Sequence, residues 1–457
     1  MSSCKTKTDN FFPCLTLFLG ICVTLSLSYA KETQPEDTLQ VNHFLNKIQQ
    51  WSHHQDSELK VTASTVIAGL LCFIASSISS AGGIGGGGLF IPILTVVAGL
   101  ELKTATSFSA FMVTGGSIAN VMYNMLTTSS KFGGKILTDY DIALLSEPCM
   151  LLGVSIGVIS NRVFPEWLVT ILFAVFLAWS TFKTCRNGLL HWKSESESVN
   201  RYVTLKDESY DGTSEEPLLK KEEINNQLKF PWMKLGVLVM IWFSFFVLYL
   251  LRGNRYGQGI ITMEPCGVGY WIISSLQIPV AIVSTAWILC RKECCQNKVP
   301  NHQEKDIEDL TSSGPSNKLI FPFMALLAGI LGGLFGIGGG MLISPLLLHV
   351  GIPPEVTAAT CSFMVFFSST MSAFQYLLLG MKHTDSALIF AIICFVGSLL
   401  GLLVVQRAIQ KFGRASLIVF SVGIVMALSA VLMTSFGALH VWSDYTSGKY
   451  MGFKLPC

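Results

Sequence analysis

Two runs of glycine contain the residues whose spacing best suits chemistry. The first is GGIGGGGLFIP from Gly82 to Pro92, and the second is GGLFGIGGGMLISP from Gly332 to Pro345. Each glycine disfavours a helix interior by roughly 1 kcal/mol relative to alanine, so these runs predict interruptions in the helices that contain them. The N–H groups at the start of the helix after such a break are unpaired and carry partial positive charge. The runs therefore indicate sites for an anion.

The two runs belong to a duplication within the chain. When Gly85 is set on Gly338, Pro92 falls on Pro345. Further along, the triplet ATS at 105–107 corresponds to ATC at 359–361, with a shift of one residue. Paired glycine-broken apolar segments in corresponding positions of two halves are typical of transporters whose substrate binds between the repeats. The structural alternative is close helix packing through small residues, as in GxxxG contacts.

Hydroxyl side chains that follow the breaks are further candidates. Thr106 and Ser107 in the first half, and Thr360 and Ser362 in the second, can line a common cavity, cap a helix or bond to a neighbouring helix. The predicted substrate-binding residues are Gly83, Gly85, Gly86, Gly87, Thr106, Ser107, Gly336, Gly338, Gly339, Gly340, Thr360 and Ser362. We predict no catalytic residue, metal ligand or cofactor.

The composition excludes an ordinary soluble protein. Of 457 residues, 51% are hydrophobic and 13% charged, against roughly 25% charged in soluble domains. The formal net charge of +2 gives no field that would attract nucleic acid. We expect the lipid bilayer and a small anionic substrate as partners.

The apolar runs predict an all-α fold, a polytopic transmembrane helix bundle. Residues 1–30 have the charged start, apolar stretch and small-residue end of a signal peptide, with an uncleaved anchor as the alternative. The protein is therefore expected in a membrane of the secretory pathway, either the plasma membrane or an endomembrane. The predicted order is a signal peptide or anchor at 1–30, a polar extracytoplasmic segment at 31–60, transmembrane repeat 1 at 61–185, a disordered cytoplasmic loop at 186–234, two linking transmembrane helices at 235–289, a cytoplasmic loop at 290–318, transmembrane repeat 2 at 319–434 and a C-terminal tail at 435–457.

The charges of the loops predict the orientation of the repeats. Lysine and arginine are concentrated in 186–229 and 291–318, which places both loops in the cytoplasm. This arrangement requires the short apolar pieces Leu89–Leu100 and Met341–Val350 to count as crossings, although the first spans only about 18 Å as a helix. An odd number of crossings then relates the two copies. The prediction is a pair of inverted repeats, each with a glycine-broken half-helix.

Two enzyme-like motifs are rejected by their context. Gly83, Gly85 and Gly88 match the dinucleotide-binding pattern GxGxxG, but an apolar helix rather than a strand precedes them. The sequence GVSIG from Gly153 to Gly157 matches GxSxG, but it lies inside a predicted membrane helix. We therefore do not predict an enzyme.

Glu147 is an acid within a predicted membrane segment. An ionisable group in such a position is a functional candidate, so Glu147 is our candidate for a coupling proton. The alternative is an acid that reaches the nearby helix end and the interface.

The duplicated pattern resembles a known family. The motif GIGGG at 83–87 and at 336–340, each followed by a proline and an Ala-Thr pair, resembles the TauE/SafE sulfite exporter family over roughly residues 60–434. The length, signal-like start and long middle loop are similar to its plant branch. Cys361, where the motif usually has serine, and the additional Gly88 depart from the pattern.

The resemblance implies an anion permease for sulfite, organosulfonates or related anions. In such a protein, inverted repeats rock around a midplane site to give alternating access. A second reading stays open, in which the protein is a non-transporting membrane receptor or trafficking scaffold that recruits partners through its cytoplasmic loops.

Overall fold

The structure of the protein is a computed structural model, and it describes residues 62–80, 82–83, 85–126, 137–208, 232–252, 267–296, 320–381, 383–412, 416–448 and 452–453. The predicted signal peptide or anchor, nearly all of the polar segment after it and much of both predicted cytoplasmic loops lie outside these residues.

All regular elements in the described ranges are α-helices, which confirms the predicted fold class. We number these twelve helices in chain order. They are α1 (Ala63–Ser80), α2 (Gly87–Val96), α3 (Leu102–Leu126), α4 (Tyr140–Val163), α5 (Glu166–Glu208), α6 (Trp232–Arg252), α7 (Val268–Gln296), α8 (Ile320–Phe335), α9 (Gly340–His349), α10 (Pro354–Leu378), α11 (Thr384–Phe412) and α12 (Ser416–Thr446).

Eight of the described helices are long and apolar enough to cross a membrane, which makes the chain a multi-pass membrane protein. The helices α2 and α9 are different, because each has ten residues. Ten residues extend about 15 Å, half of a hydrocarbon core of about 30 Å. These two helices are therefore half-helices, and each follows one of the glycine runs.

Three helices extend beyond their predicted ends. The helix α5 continues to Glu208, α7 continues to Gln296 and α12 continues to Thr446. The prediction that 186–234 is disordered is thus wrong for its first part. No proline occurs between 186 and 208, and leucine, lysine and glutamate there favour helix. A polar composition indicates contact with water, but it does not prevent a helix from continuing.

Glycines set two equivalent helix crossings, each between one helix of the first half and one helix of the second. In the first, Gly153 and Gly157 of α4 face α8, and in the second, Gly397 and Gly401 of α11 face α1. A Cβ atom at any of the four would press on a carbonyl oxygen of the facing helix. Backbones come this close only where side chains are absent.

Serine hydrogen bonds add to the crossing of α1 and α11. The hydroxyl of Ser76 donates to the carbonyl of Cys394 at 2.8 Å, and that of Ser77 donates to the carbonyl of Gly397 at 2.9 Å. Both bonds satisfy polar groups that the lipid tails cannot.

Corresponding helices of the two halves run antiparallel. Near the start of α5, Thr170 faces Gly437 near the end of α12, whereas further along α5, Gly188 faces Val419 near the start of α12. The same holds for α3 and α10, since Asn120 late in α3 donates to Ser362 early in α10 at 3.4 Å.

We expect Gly153→Ala to destabilise the protein by about 1–3 kcal/mol, because the added methyl group overpacks the crossing of α4 and α8. The control is Gly236→Ala in α6, where a Cβ would meet no atom within 4 Å. Thermal unfolding in detergent should show a lower midpoint for Gly153→Ala and an unchanged or slightly higher one for Gly236→Ala. Equal midpoints for the two variants would contradict this account of the crossing.

Candidate functional site

The two glycine runs fold into loops with the same backbone conformation. Three corresponding positions in each loop have positive φ, a region that is favourable for glycine and strained for other residues. The angles are 68°, 70° and 80° at Gly83, Gly85 and Gly86, and 63°, 65° and 29° at Gly336, Gly338 and Gly339. The duplication seen in the sequence is therefore a duplication of structure.

Each loop packs against a helix of the other half. A Cβ at Gly83 would clash with the carbonyl of Ala358 and lie 2.8 Å from the hydroxyl oxygen of Ser362. A Cβ at Gly336 would clash with the carbonyl of Thr106. The site is thus shared between the two halves, and neither half forms it alone.

These reciprocal contacts between the two halves correct the alignment of the first half with the second that the sequence motifs gave. The motif match sets Thr106 on Thr360, but the equivalent close contacts set Thr106 on Ala358. The helices α3 and α10 each have 25 residues, while the connection before α10 is one residue shorter than that before α3. A local match of three residues could not detect this difference in loop length.

The half-helices begin next to each other. Gly87 is the first residue of α2, and a Cβ there would lie 2.6 Å from the Cα atom of Ile337 in the second loop. Gly340 begins α9 three residues after Ile337. The positive ends of both half-helices therefore meet in the interior of the bundle.

Pro92 interrupts the hydrogen bonds of α2. A proline has no N–H, so the carbonyl of residue i−4, here Gly88, loses its helical donor. The hydroxyl of Ser429 in α12 donates to this carbonyl. A side chain from the other half thus replaces the missing bond.

Pro345 has the same effect in α9, and the replacement comes from the corresponding helix. The carbonyl of Met341 accepts a hydrogen bond from the hydroxyl of Ser180 in α5 at 3.2 Å. The amide of Asn187, also in α5, donates to the carbonyl of Pro345 at 3.1 Å. Each broken half-helix is therefore completed by the long helix of the opposite half.

The carbonyls at the second break are also satisfied by side chains. Tyr376 donates to Gly333 at 2.7 Å, Asn161 donates to Leu334 at 2.7 Å, and Ser109 donates to Gly336 at 2.9 Å. These donors come from α10, α4 and α3, so three helices secure the end of α8.

Unlike these carbonyls, several amides of the loops have no hydrogen-bond partner among the described residues. In the part of the chain that the structure describes, the N–H groups of Gly85, Gly86, Gly338 and Gly339 donate to no protein acceptor. All four residues are buried. Buried amides are nearly always paired, so these four are free to bind an acceptor from outside the chain.

Two valines fill the space between the loops. A Cβ at Gly85 would lie 2.9 Å from the Cγ1 atom of Val113, and one at Gly338 would lie 3.0 Å from that of Val365. The two valines occupy corresponding positions of α3 and α10. In this conformation the centre between the loops is thus closed by apolar side chains.

The structure brings only some of the predicted hydroxyls to the loops. Ser362 lies beside Gly83, and Thr106 contacts the second loop through its carbonyl. The hydroxyl of Ser107 donates back to its own helix, and that of Thr360 accepts a hydrogen bond from the amide of Asp139 at 2.9 Å. The Ser107 hydroxyl is therefore bonded within α3 and that of Thr360 to the start of α4, and no hydrogen bond among the described residues joins either one to a loop.

The sequence comparison missed residues that complete the site. Asn161, Ser180 and Ser429 lie in apolar segments and are not in the glycine motif. Their importance could have been recognised from the sequence, because polar residues are infrequent in membrane helices and usually contact another helix. Val113 and Val365 gave no signal, since valine is common in any membrane helix.

Glu147 is completely buried within α4 rather than extended to the interface. Neither of its carboxyl oxygens has a hydrogen-bond partner in the described ranges. Gly153 and Gly397 occupy corresponding positions at the two crossings. Counting back six residues from each shows that Ala391 is the residue of the second half that corresponds to Glu147. The acid therefore belongs to one half only.

A small, mainly apolar cavity lies next to the first loop. Its lining includes Gly82 of the loop, Thr184 of α5, Ser344 of α9, and Thr357 and Ala358 of α10. The cavity reaches the backbone of the loop from one side.

A comparison with known families identifies the protein group. A profile described as "Sulfite exporter TauE/SafE" matches residues 5–184 and 319–450, more than half of the chain. The chain belongs to the TauE/SafE family. The matched ranges cover both halves of the TauE/SafE fold and leave out the linking helices α6 and α7.

Relatives within the TauE/SafE family cover the whole chain. "Sulfite exporter TauE/SafE family protein 2" of Arabidopsis thaliana is 60% identical over 98% of this chain and 100% of the relative. "Sulfite exporter TauE/SafE family protein 5" of the same plant is 60% identical over 97% of this chain and 100% of the relative. The "Probable membrane transporter protein YunE" of Bacillus subtilis is 34% identical over 23% of this chain and 37% of its own length.

These matches define the class of the protein. It is a membrane transporter of the TauE/SafE family and not an enzyme, which favours transport over the receptor or scaffold alternative. No solved structure matches the TauE/SafE chain.

We expect Gly85→Ala to destabilise this TauE/SafE protein more than Gly99→Ala does. The φ angles are 70° and 68°, so the backbone strain is similar, about 1–2 kcal/mol. A Cβ at Gly85 would be crowded by neighbouring atoms, whereas a Cβ at Gly99 would meet no atom within 4 Å. Overpacking therefore adds about 1–3 kcal/mol at Gly85. Equal shifts of the thermal midpoint would show that the loop tolerates a side chain.

Proposed function

We propose that the protein carries a small oxyanion, sulfite or a related organosulfonate, across the membrane. The observation that carries the proposal is the set of four buried loop amides, at Gly85, Gly86, Gly338 and Gly339, that have no acceptor among the described residues. Amides at helix N-termini bind oxyanions without a buried lysine or arginine. Neutral donors of this kind also permit release, which a transporter requires.

The two halves would act as inverted repeats in an alternating-access cycle. The antiparallel arrangement of α5 with α12 and of α3 with α10 supports an inverted relationship. In such transporters one repeat rocks against the other around a fixed midplane site. Because Val113 and Val365 fill the centre here, binding of the anion would require these two side chains to separate.

The predicted binding residues then fall into two groups. Those at the loops are Gly83, Gly85, Gly86, Gly87, Gly336, Gly338, Gly339 and Gly340, with Ser362 and Thr106 beside them. Ser107 and Thr360 would act indirectly, because their hydroxyls are bonded within α3 and to the start of α4.

The small cavity beside Gly82 is our candidate for an access route. Its lining is mainly apolar, and the hydroxyls of Thr184 and Thr357 along it, which donate to Met426 and Ile352, would turn toward a partly dehydrated anion. We retain the prediction from loop charges that the segments after α5 and α7 face the cytoplasm. Delivery through the secretory pathway likewise stays a prediction from residues 1–30.

Glu147 would carry a coupling proton. Its carboxyl is buried and unpartnered within the described ranges, and a lone buried carboxylate is strongly unfavourable unless it is protonated or paired. Changing its protonation state as access alternates would couple proton movement to the anion.

A flux assay tests the transport proposal. Purified protein in proteoliposomes should take up radiolabelled sulfite saturably, with isethionate as the organosulfonate competitor. We expect Ser362→Ala to reduce the initial rate about 10–150-fold, the effect of one lost hydrogen bond to an anion. The control is Ser160→Ala, because each hydroxyl donates to its preceding turn at 2.8 Å but that of Ser160 is on the exposed side of α4. Folded protein without saturable uptake of any sulfur oxyanion would overturn the proposal.

A proton gradient tests the role of Glu147. We expect an imposed pH gradient to accelerate sulfite uptake by the wild type, and Glu147→Gln to remove this acceleration while leaving exchange at equal pH. Glutamine resembles a permanently protonated glutamate in size and charge. Glu101→Gln, at an exposed acid before α3, is the control. A gradient response that persists in Glu147→Gln would exclude Glu147 as the proton carrier.

A further inference from the structure

Arg252 occupies an unexpected position in the linking helices. It is the last residue of α6, yet it is only 5% exposed. Its guanidinium carbon lies 4.8 Å from the ring centre of Tyr249 and 4.9 Å from that of Tyr270. Two aromatic rings, one from α6 and one from α7, therefore surround the cation.

Among the described residues, the guanidinium has no anionic partner. Its Nε and Nη1 atoms are buried and have no hydrogen-bond acceptor among the residues described. Contacts with aromatic faces contribute about 0.5–2 kcal/mol each, whereas an isolated buried charge is unfavourable by several kcal/mol. The rings alone do not compensate for the loss of water around Arg252.

Other buried polar groups nearby are also unpaired. The hydroxyl of Tyr249 and the Nε2 atom of Gln277 have no hydrogen-bond partner of normal geometry within the described segments. The Tyr249 hydroxyl lies close to Gln277 of α7 and Ser155 of α4. All the unpaired atoms named here can donate a hydrogen bond, and a cluster of donors around a cation lacks only an acceptor with negative charge.

We propose that Arg252, Tyr249 and Gln277 bind one oxyanion group between α6 and α7, at a site separate from the glycine loops. The planar fork of arginine donates two parallel hydrogen bonds to a phosphate, sulfate or carboxylate group. The hydroxyl and the amide supply further donors. These three residues lie outside the ranges that match the TauE/SafE profile.

The location of the site allows two sources for this group. Arg252 ends α6 and Tyr270 lies near the start of α7, so the site is at one end of the linking pair. The neighbouring Trp271 is 47% exposed, as expected for an aromatic residue at a lipid headgroup boundary. The oxyanion is either a free ion or the phosphate of a lipid, and the hydrogen-bonding chemistry is the same.

Binding measurements on the full chain test the site. In nanodiscs of phosphatidylcholine alone, we measure equilibrium binding of radiolabelled sulfate. Arg252→Gln should bind one equivalent of sulfate fewer than the wild type, or bind it with at least tenfold lower affinity. In nanodiscs that also contain phosphatidic acid, native mass spectrometry should find one retained phosphatidic acid on the wild type and none on Arg252→Gln. Loss in the first arm identifies a free oxyanion, and loss in the second identifies a lipid phosphate.

Two further variants separate the site from a folding defect. Tyr249→Phe removes a hydroxyl that has no hydrogen-bond partner of normal geometry among the described residues, so the protein should fold normally but bind the same probe several-fold more weakly. Arg291→Gln is the matched control, because Arg291 at the other end of α7 also lies over an aromatic ring, 5.4 Å from the centre of Trp287, and it should bind as the wild type does.

Equal binding of both probes by the wild type, Tyr249→Phe and Arg252→Gln would overturn the proposal, and so would a wild type that retains neither probe. This result is independent of transport. A wild type without sulfite flux that still loses a bound anion on Arg252→Gln would refute the proposed function and leave this site standing.

Discussion

A broken helix in an apolar interior exposes polar backbone groups that lipid cannot satisfy. In this protein the constraint acts twice, at Pro92 and at Pro345, each the sixth residue of a ten-residue half-helix. The carbonyl that each proline releases is bonded by a serine from the long helix of the opposite half, Ser429 or Ser180. Neither half can therefore complete its own break, and the two halves must assemble for either one to be stable.

Close approach follows from the same requirement. Hydroxyls and amides reach these carbonyls only if the helices approach closely, and glycines at the crossings of α4 with α8 and of α1 with α11 permit this approach. Without side chains at these positions, backbone faces backbone. The glycines at the helix crossings and the glycines of the loops thus contribute to the same assembly. The first allow the helices to approach, and the second form the breaks that the approaching side chains complete.

The backbone carbonyls at the second break are hydrogen-bonded, whereas several amides of the loops are not bonded within the described part of the chain, and the proposed anion site depends on this difference. Side chains from α3, α4 and α10 bond the carbonyls at the second break, whereas four loop amides lack acceptors within the described residues. The interior consequently has an excess of donors, which suits an anion. A second group of unpaired donors around Arg252 follows the same logic at a different place, on helices that join the halves.

The sequence by itself determined the helical class, the two half-helices and the family, because composition, glycine runs and prolines act locally on the chain. It also located the two glycine loops, since a run of glycines excludes an ordinary helix wherever it occurs. The partners of these loops required the tertiary structure. Asn161, Ser180 and Ser429 are distant in sequence from the carbonyls they bond, and the one-residue difference before α10 altered the correspondence of Thr106. The burial of Arg252 and Glu147 was likewise decided by packing, because exposure depends on which helices lie alongside and not on the residues next in the chain.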